Sequence, residues 1–231
     1  LPEPLVLVPG LTCTAELYAP QWRRLGVGRQ VLVAEHRLDE SLGAIVERLL
    51  AAAPSRFALC GLSMGGYIAF EVMRQAPGRV SRLALLDTSA RPATPETNAL
   101  RADMIALAQA GQFERVMAMM WQRLVAPARR EDQALREIVR RMALETGAAG
   151  FARQQRAIMG RPDSRAAFGA IKVPTLVLVG SEDILTPPAE SAEIAAGIAD
   201  ARLVTIPGCG HLSTLESPDT VCEALANWLE A

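Results

Sequence analysis

The chain has 231 residues, half of them apolar, and its 24 basic side chains nearly balance 25 acidic ones. That length and apolar content make one ordinary domain, or one domain carrying an insertion. No basic run interleaved with aromatics is present to track a phosphate backbone, which argues against nucleic acid as a partner, and the uninterrupted apolar runs, such as 83–86 and 176–179, fall far short of the ~18 residues of a membrane span.

From the amino terminus, apolar and β-branched runs at 5–8, 31–34, 57–60, 80–86, 175–179 and 202–206 read as short buried strands. Between most of them lie helical patterns, at 41–53, 64–75, 188–199 and 218–229; in the first, Leu42, Ile45, Val46, Leu49 and Leu50 share one side. Strands and helices alternating at these lengths give an α/β fold, a mostly parallel sheet of about six strands with helices on both faces. Residues 91–170 interrupt the alternation. They contain no convincing strand, and helices are expected near 97–110, 112–125, 130–145 and 150–159. The expected organisation is a core of residues 1–90 and 171–231 with a helical insertion at 91–170. Met104, Met117, Met119, Met120, Trp121, Met142, Phe151 and Met159 supply this insertion with adaptable apolar side chains. They form either its own small core or the roof of a pocket, for which Met120, Trp121 and Met159 are the candidate lining residues. The pairs Arg129-Arg130 and Arg140-Arg141 are expected on solvated helix faces.

The chemistry starts at Gly61-Leu62-Ser63-Met64-Gly65-Gly66, between the third strand and the following helix. A nucleophile on so sharp a turn holds strained dihedrals, and the positions two before and two after it must be small; both are glycine. The turn lifts the Ser63 hydroxyl out of the sheet, and the Met64 N–H, opening the helix, points where an oxyanion would develop. A serine hydroxyl needs a base, and the chain has two histidines. His211, in Gly208-Cys209-Gly210-His211-Leu212, follows the last strand and so lies at the carboxyl edge of the sheet, as Ser63 does. His36 also follows a strand; its alternative role is a loop or capping residue, and His211 is the favoured base. Asp183, just beyond the fifth strand, is the leading acceptor for the imidazole, with Asp87 and Glu182 as rivals. The second oxyanion donor is expected from the loop Pro9-Gly10-Leu11-Thr12, at the Leu11 N–H.

The order Ser63, Asp183, His211, each after a strand, resembles the α/β-hydrolase superfamily, with the helical insertion in the place of that family's cap. The resemblance covers essentially the whole chain. The closing segment from Pro207 through Gly210-His211 to Pro218 is similar to that of enol-lactone hydrolases and related carboxylic-ester hydrolases. The chain departs from the family where Pro9-Gly10 replaces the usual His-Gly, and where Glu35-His36-Arg37-Leu38-Asp39-Glu40-Ser41 replaces a glycine-rich turn, which would bring His36 nearer the pocket. The resemblance implies a cofactor-independent serine hydrolase acting on a small carboxylic ester or lactone through an acyl-enzyme. Two alternatives stand beside it. One is carbon–carbon hydrolysis or elimination by the same triad, with Arg123, Arg153 or Arg156 anchoring a substrate carboxylate; the other is a non-catalytic ligand-binding protein. No metal is expected, because two separated histidines and no thiolate cluster offer no ligand set. Cys13, Cys60, Cys209 and Cys222 lack C-x-x-C spacing and read as reduced, small hydrophobes. Cytoplasmic location is the default, although an opening at Leu1 is also compatible with a removed leader.

Overall fold

The computed structural model describes residues 2–230. Six strands, β1 (Leu5–Val8), β2 (Val31–Val33), β3 (Phe57–Leu62), β4 (Val80–Leu86), β5 (Thr175–Gly180) and β6 (Ala201–Ile206), form one sheet in the order β2-β1-β3-β4-β5-β6. Every pairing is parallel, so the expected mostly parallel sheet is wholly parallel. The two-residue side-chain period divides the central strands cleanly. Val6, Val8, Leu59, Leu83, Leu85 and Val177 enter one core, and Leu5, Leu7, Cys60, Leu62, Leu86 and Leu178 the other. Burial on both faces explains why these strands are continuously apolar in sequence.

The first core is covered by α2 (Leu42–Ala52), α3 (Met64–Gln75) and α7 (Pro188–Gly197). The second is covered by α9 (Pro218–Glu230), through Val221, Cys222, Leu225 and Trp228, and by Leu17 and Tyr18 at the foot of α1 (Ala19–Leu25). Ser41 caps α2 by accepting from the Ala44 N–H. The helix between β1 and β2 has no signal in the sequence. With Pro20 in its first turn and seven residues in all, α1 is too short to show a helical period. A four-residue α8 (Ser213–Glu216) also went unassigned, folded between the His211 loop and α9.

Between β4 and β5 the chain is helical: α4 (Pro95–Leu107), α5 (Phe113–Leu124) and α6 (Gln133–Met159). Thr94 and Thr97 cap the start of α4 reciprocally, and Asp132 caps α6 by accepting from the Leu135 N–H at 2.9 Å, which sets its start past the expected Arg130. The two helices expected at 130–145 and 150–159 are the halves of α6, separated at Gly147, which holds φ 67° and ψ 167°. A glycine meets that demand without a side-chain clash, and the second half is thereby turned toward the carboxyl edge of the sheet. No helix among the described residues is long and apolar enough to cross a membrane.

Candidate active site

Ser63 follows β3, Asp87 follows β4, Asp183 follows β5 and His211 follows β6, so the parallel sheet delivers all four to one edge. The Ser63 turn is tight on both sides. A Cβ on Gly61 would stand 2.2 Å from the Gly65 carbonyl oxygen, and one on Gly65 would stand 2.0 Å from that of Val8. Ser63 itself holds φ 55° and ψ −114°, a strained conformation for a residue with a side chain. Its N–H donates to the Leu86 carbonyl at 2.9 Å, and its carbonyl accepts from the Thr88 hydroxyl at 2.7 Å.

Ser63 Oγ lies 2.8 Å from His211 Nε2, and His211 Nδ1 lies 2.7 Å from Asp183 Oδ2. The other carboxylate oxygen, Oδ1, accepts from the Leu185 and Thr186 N–H groups at 2.8 and 3.1 Å, and the Thr186 hydroxyl donates to Oδ2. Burial works to raise the Asp183 carboxyl, but the His211 charge and hydrogen bond, with those from Thr186, outweigh it and hold the carboxyl below its ordinary value. Burial likewise works to lower the His211 imidazole, and the charge and hydrogen bond of Asp183, supported by Glu216, outweigh it and raise the basicity. The pair is thus set to stabilise an imidazolium once His211 takes a proton.

The rival carboxylates are placed differently. Glu182 is exposed. Asp87 is fully buried, and its oxygens accept from the Gly180 N–H at 2.9 Å and from the Ser213 hydroxyl. Burial pushes its carboxyl up to about 8, so it is largely protonated at neutral pH and braces β5 against α8. The sequence reading missed Glu216, on α8. Its carboxylate accepts from the N–H groups of Gly210 and Leu212, each at 3.1 Å, and of Ala126 at 2.8 Å, and so clamps the His211 loop to the segment that follows α5. Burial pushes the Cys13, Cys60 and Cys209 thiols up to about 12, so all three are protonated at neutral pH.

Loop 9–12 passes beside the serine, where a Cβ on Gly10 would lie 3.5 Å from Ser63 Cβ. Leu11 follows Gly10 in this loop, and Met64 stands at the first turn of α3. His36 does not meet Ser63. Its Nε2 lies 2.9 Å from the Gly10 carbonyl oxygen and 3.1 Å from Gln154 Nε2, while Gln154 Oε1 accepts from the Thr12 N–H at 3.0 Å. Burial lowers the His36 imidazole, so the ring is neutral and serves the loop backbone.

A cavity of about 210 Å³ opens in front of Ser63 and His211, with Gly10, Leu11 and Tyr67 on the sheet side and Leu100, Arg101, Met104, Met120, Arg123 and Gln155 from the helices between β4 and β5. Met120 is in its wall. Trp121 is not: it is buried in the core with Leu124 and Leu135, and its indole donates to the Arg130 carbonyl at 3.0 Å. One residue along a helix turns a side chain by about 100°, which separates it from Met120. Met159 also lies outside the wall, where Ile158 takes its place; the Met159 carbonyl accepts from Asn98 Nδ2 at 3.4 Å. Of the three arginines considered, Arg123 reaches the cavity, Arg153 donates to the Arg37 carbonyl at 2.8 Å and Arg156 pairs with Glu40 at 2.7 Å. Arg101 and Gln155 escaped the sequence reading. The adjacent Gln154-Gln155, polar residues inside a helical segment rich in apolar ones, were the available signal.

The model of the Alpha/beta hydrolase family matches residues 5–224. The chain belongs to the alpha/beta hydrolase family. Its fold is accordingly that of a family of hydrolases. Among curated relatives, a pimeloyl-[acyl-carrier protein] methyl ester esterase from Aromatoleum aromaticum is 29% identical over 192 residues, covering 78% of this chain and 76% of the relative. Among solved structures, a thermophilic esterase from Thermogutta terrifontis superposes with a TM-score of 0.90 at 29% identity, over 99% of this hydrolase and 89% of that chain. The enol-lactonase from Burkholderia xenovorans superposes at 0.88 with 24% identity, over 99% and 92% of the two chains, and speaks for the fold alone.

Proposed function

We propose that this protein is a cofactor-independent serine hydrolase that cleaves a small carboxylic ester or lactone through an acyl-enzyme. The observation that carries the reading is the unbroken line Ser63 Oγ, His211 Nε2 at 2.8 Å, His211 Nδ1 and Asp183 Oδ2 at 2.7 Å. In this mechanism Ser63 Oγ attacks the carbonyl carbon as its proton passes to His211 Nε2. Asp183 holds the imidazole by Nδ1–H and balances its charge. The negative charge gathering on the carbonyl oxygen is met by the N–H groups of Met64 and Leu11, both fixed before substrate arrives. His211 then returns the proton to the departing alkoxide, and a water that it deprotonates releases the acid and restores Ser63.

The helical segment 91–170 acts in this reading as a cap. Its contribution of Leu100, Arg101, Met104, Met120 and Arg123 to the cavity supports that role. The volume, about 210 Å³, lies below the ~300–1,000 Å³ of sites for drug-sized ligands and favours a small substrate. Relatives named as a methyl ester esterase and an esterase favour acyl transfer over the other triad chemistries. Fluorophosphonate labelling tests the assignment: the wild-type protein should be labelled and Ser63→Ala should not, and equal labelling of the two refutes the nucleophile.

A further inference from the structure

Arg101, on α4, and Gln155, on the second half of α6, meet in the roof of the cavity, with Arg101 Nη1 donating to Gln155 Oε1. That contact orients the amide, because a donor faces its oxygen, and leaves Gln155 Nε2 to be satisfied elsewhere. Gln155 is 0% exposed, yet its Nε2 has no partner among the described residues, and neither does the buried Arg101 Nε. Both orphans are donors. Buried donors are costly to leave unmade, and a guanidinium keeps its charge when buried. Burial works against that charge in Arg101, Arg161 and Arg123 add to the strain, and Tyr67 offsets it. No carboxylate lies within ion-pair distance of Arg101, Arg123 or Arg161 among the described residues, whereas Arg37, Arg91 and Arg156 all have one.

The roof therefore lacks one thing, a negatively charged acceptor. We propose that it is a carboxylate subsite, and that the substrate is a small ester or lactone bearing a second, ionised carboxyl group held by the Arg101 guanidinium and the Gln155 amide. The identification of the substrate rests on the serine-hydrolase reading; the binding of a carboxylate does not. A planar guanidinium takes a planar carboxylate by two parallel hydrogen bonds, and its fit is better than that of a point charge. Leu11, Leu100, Met104 and Met120 line the space around this polar pair and suit the short carbon chain between the two acid functions.

The test compares monomethyl glutarate with methyl butanoate. Wild-type kcat/KM should favour the charged ester by roughly 10- to 100-fold, the range of a charge-assisted hydrogen-bond pair. Arg101→Met should bring the ratio of the two close to one, and Arg101→Lys should keep part of it. Gln155→Glu, almost unchanged in volume, supplies Arg101 with an internal carboxylate and should abolish the preference as well; thermal melts establish that each variant is folded. A wild-type ratio near one, or a ratio that survives both Arg101→Met and Gln155→Glu, overturns the subsite and leaves ester hydrolysis standing. Where no ester is turned over, glutarate is titrated calorimetrically into Ser63→Ala and into Ser63→Ala/Arg101→Met. Binding to the first and not the second upholds the subsite while the hydrolase reading fails, and equal binding or none overturns it.

Discussion

Replacing Asp87 by asparagine should make the protein more stable, and increasingly so as the pH rises. Asp87 is 0% exposed, and burial first, with the Asp183 charge behind it, lifts its carboxyl from 3.8 to about 8. Between those values the folded protein keeps a proton that the unfolded chain has released. Stability from this group is therefore complete below pH 4 and declines through the window at up to ~1.4 kcal/mol per pH unit. An asparagine side chain carries no such dependence. Its amide oxygen can accept from the Gly180 N–H as Asp87 Oδ1 does at 2.9 Å, and its NH₂ can donate to Ser213 Oγ. The difference in unfolding free energy between Asp87→Asn and wild type should grow by about 4 kcal/mol from pH 5 to pH 8. Urea unfolding at pH 5, 6, 7 and 8 and constant ionic strength measures it, with the m-value checked for constancy. Parallel stability profiles, or a difference that shrinks with pH, would refute the protonated, buried carboxyl.

Three further outcomes follow from the same geometry. Because His211 must be neutral to accept the Ser63 proton and its pKa is raised, the acidic limb of kcat/KM should lie above the ordinary histidine value. Asp183→Asn should move that limb to lower pH and cut kcat by roughly 10⁴, as read from a pH–rate profile. Gly65→Ala would set a Cβ 2.0 Å from the Val8 carbonyl oxygen, and should cost at least the ~1–3 kcal/mol of an overpacked core, measured by urea unfolding. Glu216→Gln turns an acceptor of three N–H groups partly into a donor. It should lower stability by about 2 kcal/mol and depress kcat more than it changes KM, in melts and steady-state kinetics, since it loosens the loop that carries His211.

The sheet and the Ser63, Asp183, His211 alignment were legible in sequence because each rests on a local signal repeated at a fixed place. An apolar run ends, a glycine-containing loop begins, and a parallel sheet brings every such loop to one edge. Asp87 carried the same signal as Asp183, and sequence could rank the two but not separate their roles. What distinguishes them is the hydrogen bonding across the sheet, Gly180 and Ser213 on one and His211 and Thr186 on the other. The insertion was legible as helices and opaque as a surface. Helical period identifies a face but not the neighbour it meets, so Met120 and Trp121 looked equivalent although they point to different places. Arg101 and Gln155 lie 54 positions apart, and nothing local in either helix announces their meeting. The break in α6 was visible as a gap between two helical patterns, and Gly147 is its cause.

The helices between β4 and β5 hold the rest of the chain unevenly. Through Gln154, the second half of α6 lends a hydrogen bond to the Thr12 N–H and touches the ring that holds the Gly10 carbonyl. Swinging that half outward would cost about 1–3 kcal/mol for each buried group it strands, and would slacken the loop beside Ser63 at the same moment. An opening under α6 and an intact loop 9–12 are thus mutually exclusive states. Exposed Arg123 on α5 stands at a wall tied instead to the His211 loop, because the Ala126 N–H just beyond α5 donates to Glu216, so a molecule admitted on either side disturbs one part of the site as it enters.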